Sequence, residues 1–156
     1  MNANRQDIER VLRCQQGIIT RRGHPQLADA MAWMVKQGKL RAVLPGVYAV
    51  SSLEHDPIVR MRAATAWAPE AVLIGAAAAK LTFWPDIVLG DVQLAVRTAR
   101  RPAKGFATVR RVIAPEHVVM RQAMRCTTPA LTALDLCDSH GGDAIDAALR
   151  SRQTTL

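Results

Sequence analysis

The stretch from Gly38 to Val50, GKLRAVLPGVYAV, constrains this chain more than any other. Gly38 can adopt the left-handed conformation that ends a helix at little steric cost. Leu40, Ala42 and Leu44 alternate with Lys39, Arg41 and Val43, which is the period of a strand. Pro45 and Gly46 form a turn pair, the proline fixing one corner and the glycine permitting a positive φ at the next. Val47 to Val50 is a β-prone return strand. A helix stop is therefore followed at once by a basic hairpin, and the residues upstream must supply the helices it packs on.

Those residues carry the required signals. Ile8, Val11, Leu12 and Gln15 share one helical face over 5–16, and Gly17 ends the helix. Ile18 and Ile19 form a short extended pair suited to joining the hairpin. Thr20 is placed to cap a short second helix that Gly23 and Pro25 cut off. Pro25 suits the first turn of a longer helix over 25–37. That helix turns Leu27, Met31, Met34 and Val35 inward, and Gln26, Asp29, Ala32, Trp33, Lys36 and Gln37 outward. Helix, extended pair, short helix, longer helix and hairpin make up a winged helix-turn-helix over residues 1–52. The fold class expected is α+β, with that module followed by a small mixed α/β domain over 53–156.

Ser51 to Asp56 is a polar linker and the expected boundary. Asp56 and Pro57 are an N-cap and a first-turn proline. They open a helix over 57–68 with Ile58, Met61, Thr65 and Ala68 on one side, broken by Pro69. Val72-Leu73-Ile74 is ambiguous, and the alanine-rich run 75–83 reads as a closely packed helix. From residue 91 the period becomes two. A strand over 91–97, a basic loop over 100–105 and a return strand over 106–113 follow, with two shorter strands at 118–120 and 124–127. Thr128 and Pro129 start a helix that Gly141 and Gly142 end. Asp143 caps a last helix over 144–150.

The formal net charge is +8, and it is unevenly spread. Residues 1–50 carry eight Lys/Arg against three Asp/Glu, and residues 91–125 carry eight against two. The remaining segments are near neutral or acidic, so the charge sits in two blocks that favour a polyanionic partner. In the first block Arg21, Arg22, His24, Gln26, Lys36 and Lys39 surround the longer helix, and Arg41 lies on the hairpin. Such cations neutralise phosphates, which gives affinity and a salt dependence. Gln26 has the donor and acceptor to read an adenine edge. In the second block Arg97, Arg100, Arg101, Lys104, Arg110 and Arg111 suit a second DNA segment, RNA or an acidic protein, with no ranking among these. Taken singly, each of these residues is equally well a solvated surface charge, and the clustering carries the reading.

Other function classes find little support. Cys14, Cys126 and Cys137 are odd in number and lack CxxC spacing, which argues against a disulfide framework and a zinc site. His24, His55, His117 and His140 are isolated. Asp135, Asp138, Asp143 and Asp146 read as helix caps and solvated faces rather than as metal ligands. Ser139 lies beside Asp138 and His140, but triads are made by spatial placement, not by neighbouring positions. No glycine-rich phosphate loop occurs. The expectation is a protein without catalysis, cofactor or metal. The longest apolar run, Ala71 to Ala79, falls far short of the ~20 residues a bilayer span needs, and no secretory signal is visible. A soluble, cytoplasmic protein without a membrane partner is expected.

Four segments together resemble AbiEi-family antitoxins: Gly17 to Arg22 (GIITRR), Gly38 to Ala49 (GKLRAVLPGVYA), Thr127 to Leu136 (TTPALTALDL) and Ala144 to Arg150 (AIDAALR). The resemblance covers nearly the whole chain. It implies a transcriptional autorepressor of a type IV toxin–antitoxin operon. The winged helix would bind inverted repeats in its own promoter, as a homodimer on double-stranded DNA. The partner would be a nucleotidyltransferase-like toxin, and the second domain would support DNA binding and antitoxicity. Related chains continue into a nuclease-like domain where this sequence stops, which implies a shortened member or a fragment. Three departures stand out. The segment between Thr20 and Gly38 is short, Asp29 and Trp33 occupy positions where basic or polar residues are usual, and Leu131 replaces an arginine often found after Thr-Pro-Ala. The short segment, Asp29 and Trp33 motivate an alternative: a protein-interaction module that binds a toxin or itself without sequence-specific DNA binding.

Overall fold

The computed structural model describes residues 2–152. The chain divides into two compact units, Met1–Pro69 and Glu70–Leu156. Together they are mixed α and β, with one sheet in each unit.

The first unit runs α1 (Asn2–Cys14), β1 (Ile18–Thr20), a 3-10 turn (Pro25–Leu27), α2 (Ala28–Lys36), β2 (Leu40–Leu44), β3 (Val47–Val50), a second 3-10 turn (Ser51–Leu53) and α3 (Pro57–Trp67). Both glycine stops act as their chemistry dictates. At the end of α1, Gly17 N–H donates five residues back to the Leu12 carbonyl at 2.6 Å, with Gln16 and Gly17 both at positive φ. At the end of α2, Gly38 has φ +75° and the Lys39 N–H reaches the Met34 carbonyl at 2.9 Å. These 6→1 bonds satisfy carbonyls that would otherwise be orphaned.

The three strands are antiparallel in the order β1-β3-β2, so the extended pair Ile18–Ile19 does join the hairpin. Ile8, Leu12, Met31 and Met34 of the helices close over Ile19, Leu40 and Tyr48 of the sheet. The hairpin departs from simple alternation. Ala42 pairs with Tyr48 but Leu44 pairs with Val47, which leaves Val43 as a bulge. The bulge turns Leu44 to the face of Val47 and Ala49 and leaves Ala42 exposed.

No α-helix forms between Thr20 and Pro25. The Thr20 hydroxyl accepts the Gly23 N–H at 3.1 Å and closes a turn, and only the 3-10 turn at Pro25–Leu27 precedes α2. Gly23 and Pro25 leave too few consecutive residues for an α-helical nucleus.

The units meet between Pro69 and Glu70, not at the polar stretch 51–56 where the 52/53 boundary was expected. The reason is α3, which packs on all three strands of the first sheet. Asp56 caps it as expected, accepting the Val59 N–H at 3.0 Å. Its buried residues are Val59, Met61, Ala63 and Ala64, while Ile58 and Thr65 are only half-buried.

The second unit runs β4 (Val72–Ile74), α4 (Gly75–Leu81), β5 (Val92–Val96), β6 (Phe106–Arg110), a 3-10 turn (Pro115–His117), β7 (Val118–Arg121), β8 (Met124–Thr127), α5 (Pro129–Asp135), α6 (Cys137–His140) and α7 (Gly142–Arg150). Its sheet has the order β6-β5-β4-β8-β7. The strands on either side of the basic loop are parallel, Val92 pairing with Phe106 and Val96 with Arg110, so 106–113 is not a hairpin return. Alternation decides which side chains share a face and says nothing about strand direction.

That parallel pairing puts β6 at one edge of the sheet and β7 at the other, so residues 111–117 must cross the sheet. Ile113 and Val118 pack there against Val72, Ile74 and Ala95. Helix α4 packs on β4, β5 and β8. Small residues let the helices approach closely: Ala79, Ala133, Ala144 and Ala148 share a cluster with Phe83 and Leu136. Gly75 starts α4 at φ +61°, where an added Cβ would collide with the Gln93 side chain. Asp143 does not cap α7. Gly141 holds the cap position, and Asp143 lies in the first turn, where its charge complements the helix dipole.

Candidate nucleic-acid interface

Arg21 leaves β1 beside the hairpin turn, its N–H donating to the Gly46 carbonyl at 2.9 Å. Its guanidinium donates from Nη2 to the Tyr48 hydroxyl at 2.6 Å and lies 5.9 Å from the centre of that ring. Tyr48 is itself buried in the core. A long flexible cation is thus fastened at two points, which removes much of the rotamer entropy a phosphate contact would otherwise cost. Arg22 follows, exposed and without an ion pair to any described residue. His24 is half-buried ahead of the 3-10 turn and makes no capping hydrogen bond with its side chain, and Gln26 is exposed within the turn. Arg21, Arg22, His24 and Gln26 therefore gather at the entry to α2 and the hairpin turn.

Lys36 and Lys39 lie at the other end of α2, a helix of nine residues and so about 13 Å long. Lys36 is exposed, and the Lys39 ammonium lies 6.0 Å from the centre of the Trp33 ring. Arg41 stands apart from both groups. It sits opposite Ala49, away from the Pro45–Gly46 turn, and its Nε is 3.7 Å from a Glu54 carboxylate oxygen. The exposed face of α2 is Asp29, Ala32, Trp33 and Lys36, which carries no net charge.

In the second unit, two of the six expected cations are in ion pairs. Arg100 is 3.2 Å from Glu70, and Arg111 is bonded to Asp135 at 2.8 and 3.3 Å. Arg97, Arg101 and Lys104 are exposed on the connection between β5 and β6, and Arg110 is exposed at the end of β6. Arg97 and Arg111 also line a cavity of about 390 Å³ together with Arg125. Charge clustering does not single out Arg125 or Tyr48. Arg125 carries a usable signal, because it alternates with Met124 and Cys126 and must face away from them.

Among the described residues no group of His, Cys, Asp and Glu is placed to hold a metal ion. Cys126 is fully buried, and burial pushes its thiol pKa up to about 11, with Arg121 pulling weakly the other way. Ser139 Oγ is 2.7 Å from His140 Nδ1, but Ser139 is exposed, the half-buried His140 ring packs edge-on against Trp84 at 5.6 Å, and among the described residues no carboxylate is paired with that ring. No described helix is long and apolar enough to cross a membrane.

Comparison with known proteins leaves the reading to the geometry. No protein-family model matches this chain. No curated protein matches it either.

Proposed function

We propose that residues 1–69 are a winged helix that holds double-stranded DNA, and that the chain is an antitoxin-like autorepressor of its own operon. The observation that carries this reading is the seating of Arg21 on Tyr48 beside the hairpin turn, with Arg22 exposed next to it. In this reading the 3-10 turn replaces the second helix, α2 is the element laid against the duplex, and β2–β3 is the wing. The wing turn Pro45–Gly46 carries no cation of its own, so Arg21 and Arg22 supply its phosphate contacts. Resemblance to AbiEi-family antitoxins supports a promoter as the DNA, a nucleotidyltransferase-like toxin as partner, a homodimer on inverted repeats and a place in the cytoplasm. The reading assigns no catalytic step and needs no cofactor.

Fluorescence anisotropy tests it, with DNA from upstream of the gene and a scrambled duplex, each at two salt concentrations. Selective binding that weakens with salt and is lost in Arg21→Ala supports the repressor. Equal binding to both duplexes sinks the regulatory reading and leaves only an electrostatic surface.

One observation favours a second reading. The exposed face of α2 is uncharged overall and centres on Ala32 and Trp33, Trp33 being 37% exposed. Interfaces are enriched in tryptophan and depleted in charge at their centres. As a protein-interaction module the chain would use this face to bind a toxin or a second copy. Light scattering on the protein and on Trp33→Ala separates the readings: a dimer abolished by the substitution, with no selective DNA binding, selects the second.

A further inference from the structure

We propose that the cavity between the sheet of the second unit and the 111–117 crossing is a binding site for a small amphipathic anion, a phosphate monoester on an apolar body. The topology builds the cavity. Because β6 and β7 are at opposite edges, the chain between them straps over the sheet and leaves a hollow of about 390 Å³ beside it. That lies within the ~300–1,000 Å³ range of small-ligand sites. Its apolar lining includes Val72 and Ala95 from the sheet and Ile113 and Val118 from the strap and β7.

Charge decides what the hollow takes. Four charged residues line it: Glu70, Arg97, Arg111 and Arg125. Glu70 is engaged by Arg100, and Arg111 by Asp135. Arg97 and Arg125 make no ion pair with any described residue. Two unmatched guanidinium groups over an apolar surface match a dianionic head with an apolar body, since guanidinium forks bind phosphate oxygens two at a time. Concavity separates this site from a nucleic-acid track. A duplex backbone has no apolar group to put against Val72 and Ile113, whereas a phenyl or alkyl phosphate does. The site is independent of the DNA reading above and stands or falls without it.

Calorimetric titration of the full chain with phenyl phosphate tests the proposal, with inorganic phosphate and benzyl alcohol as probes of the charge and the apolar body alone. Phenyl phosphate is expected to bind saturably with a Kd of about 1 mM or tighter, and each half-probe about tenfold more weakly or worse. The double substitution Arg97→Gln/Arg125→Gln should abolish binding, and Arg13→Gln on the exposed side of α1 should leave it unchanged. Both arginines are exposed, so circular dichroism should show the double variant folded. Should that variant lose its fold, Met120→Trp, at a position that pairs with Arg125 on the cavity face of the sheet, is expected to block binding in its place. No saturable binding of phenyl phosphate up to about 10 mM overturns the proposal. So does binding that survives the double substitution in a folded protein, or binding that inorganic phosphate matches.

Discussion

Arg111 grips Asp135 with both ends of its guanidinium, Nη1 to Oδ2 at 2.8 Å and Nη2 to Oδ1 at 3.3 Å, across 24 positions of sequence. The pair ties the start of the strap to the last turn of α5. Both side chains are partly shielded, 35% and 24% exposed, so solvent screens the attraction without removing it. Asp135→Asn is expected to cost about 1–2 kcal/mol of stability in urea titrations. Arg111→Met should cost a similar amount, and the double variant clearly less than the sum. Strictly additive losses would show that the pair is not coupled.

Arg21 and Tyr48 make a different kind of pair, in which the hydroxyl of a buried ring holds the guanidinium of an exposed residue. Tyr48→Phe keeps the ring and removes the acceptor, so stability should fall by about 1 kcal/mol or less. DNA affinity should still fall roughly threefold to tenfold, because Arg21 must then be ordered during binding. The charge remains in place, so the salt slope should not change, whereas Arg21→Ala should lower it by about one. An anisotropy titration in which Tyr48→Phe binds like the parent would show that the contact does not position Arg21 for DNA.

Asp29 is the one acidic residue on the exposed face of α2, and it lies in the helix's first turn. There it favours the helix dipole while repelling phosphate. Asp29→Asn should cost the protein a few tenths of a kcal/mol, roughly 0.3–0.5, and raise DNA affinity by roughly twofold to fivefold at low salt. Unchanged DNA affinity would place the duplex away from α2 and strengthen the case for the Trp33 face as a protein surface.

Local signals are legible in the sequence and long-range ones are not. Gly38, Pro45–Gly46, Asp56–Pro57 and Thr128–Pro129 each act within a few residues, and each marks the boundary its chemistry implies. The Val43 bulge has no local signature, because it arises from fitting β2 to β3. Nothing in the alternation of 92–96 or 106–110 distinguishes a parallel pair from a hairpin. The strap, the cavity and the Arg111–Asp135 pair all follow from that one choice of direction. Charge clustering finds the cations of the first unit, but what fixes Arg21 is an aromatic residue whose pattern announces only a strand. Helix α3 reads as the start of a new domain because a polar stretch precedes it. Its apolar residues instead cover the second face of the first sheet, and no composition shift reports that.

Burial of Cys126 is expected to make stability depend on pH above about 9. Its side chain is fully buried on β8, and its thiol pKa stands near 11 against an ordinary 9.0. A raised pKa means that the folded protein holds the proton more tightly than the unfolded chain. The contribution is therefore complete below about pH 9 and is lost progressively as pH rises toward 11. A rise of that size corresponds to roughly 2–3 kcal/mol at most. Urea titrations of the parent and of Cys126→Val at about pH 8 and about pH 10.5 isolate this effect, because other titrating groups are shared. The stability difference between the two proteins should move against the parent at the higher pH by about 1–2 kcal/mol. The same burial protects the thiol: a thiol reagent should modify exposed Cys14 first and Cys126 only on unfolding. A pH-independent difference, or rapid labelling of Cys126 in the folded protein, would show that β8 opens to solvent well before the unit unfolds.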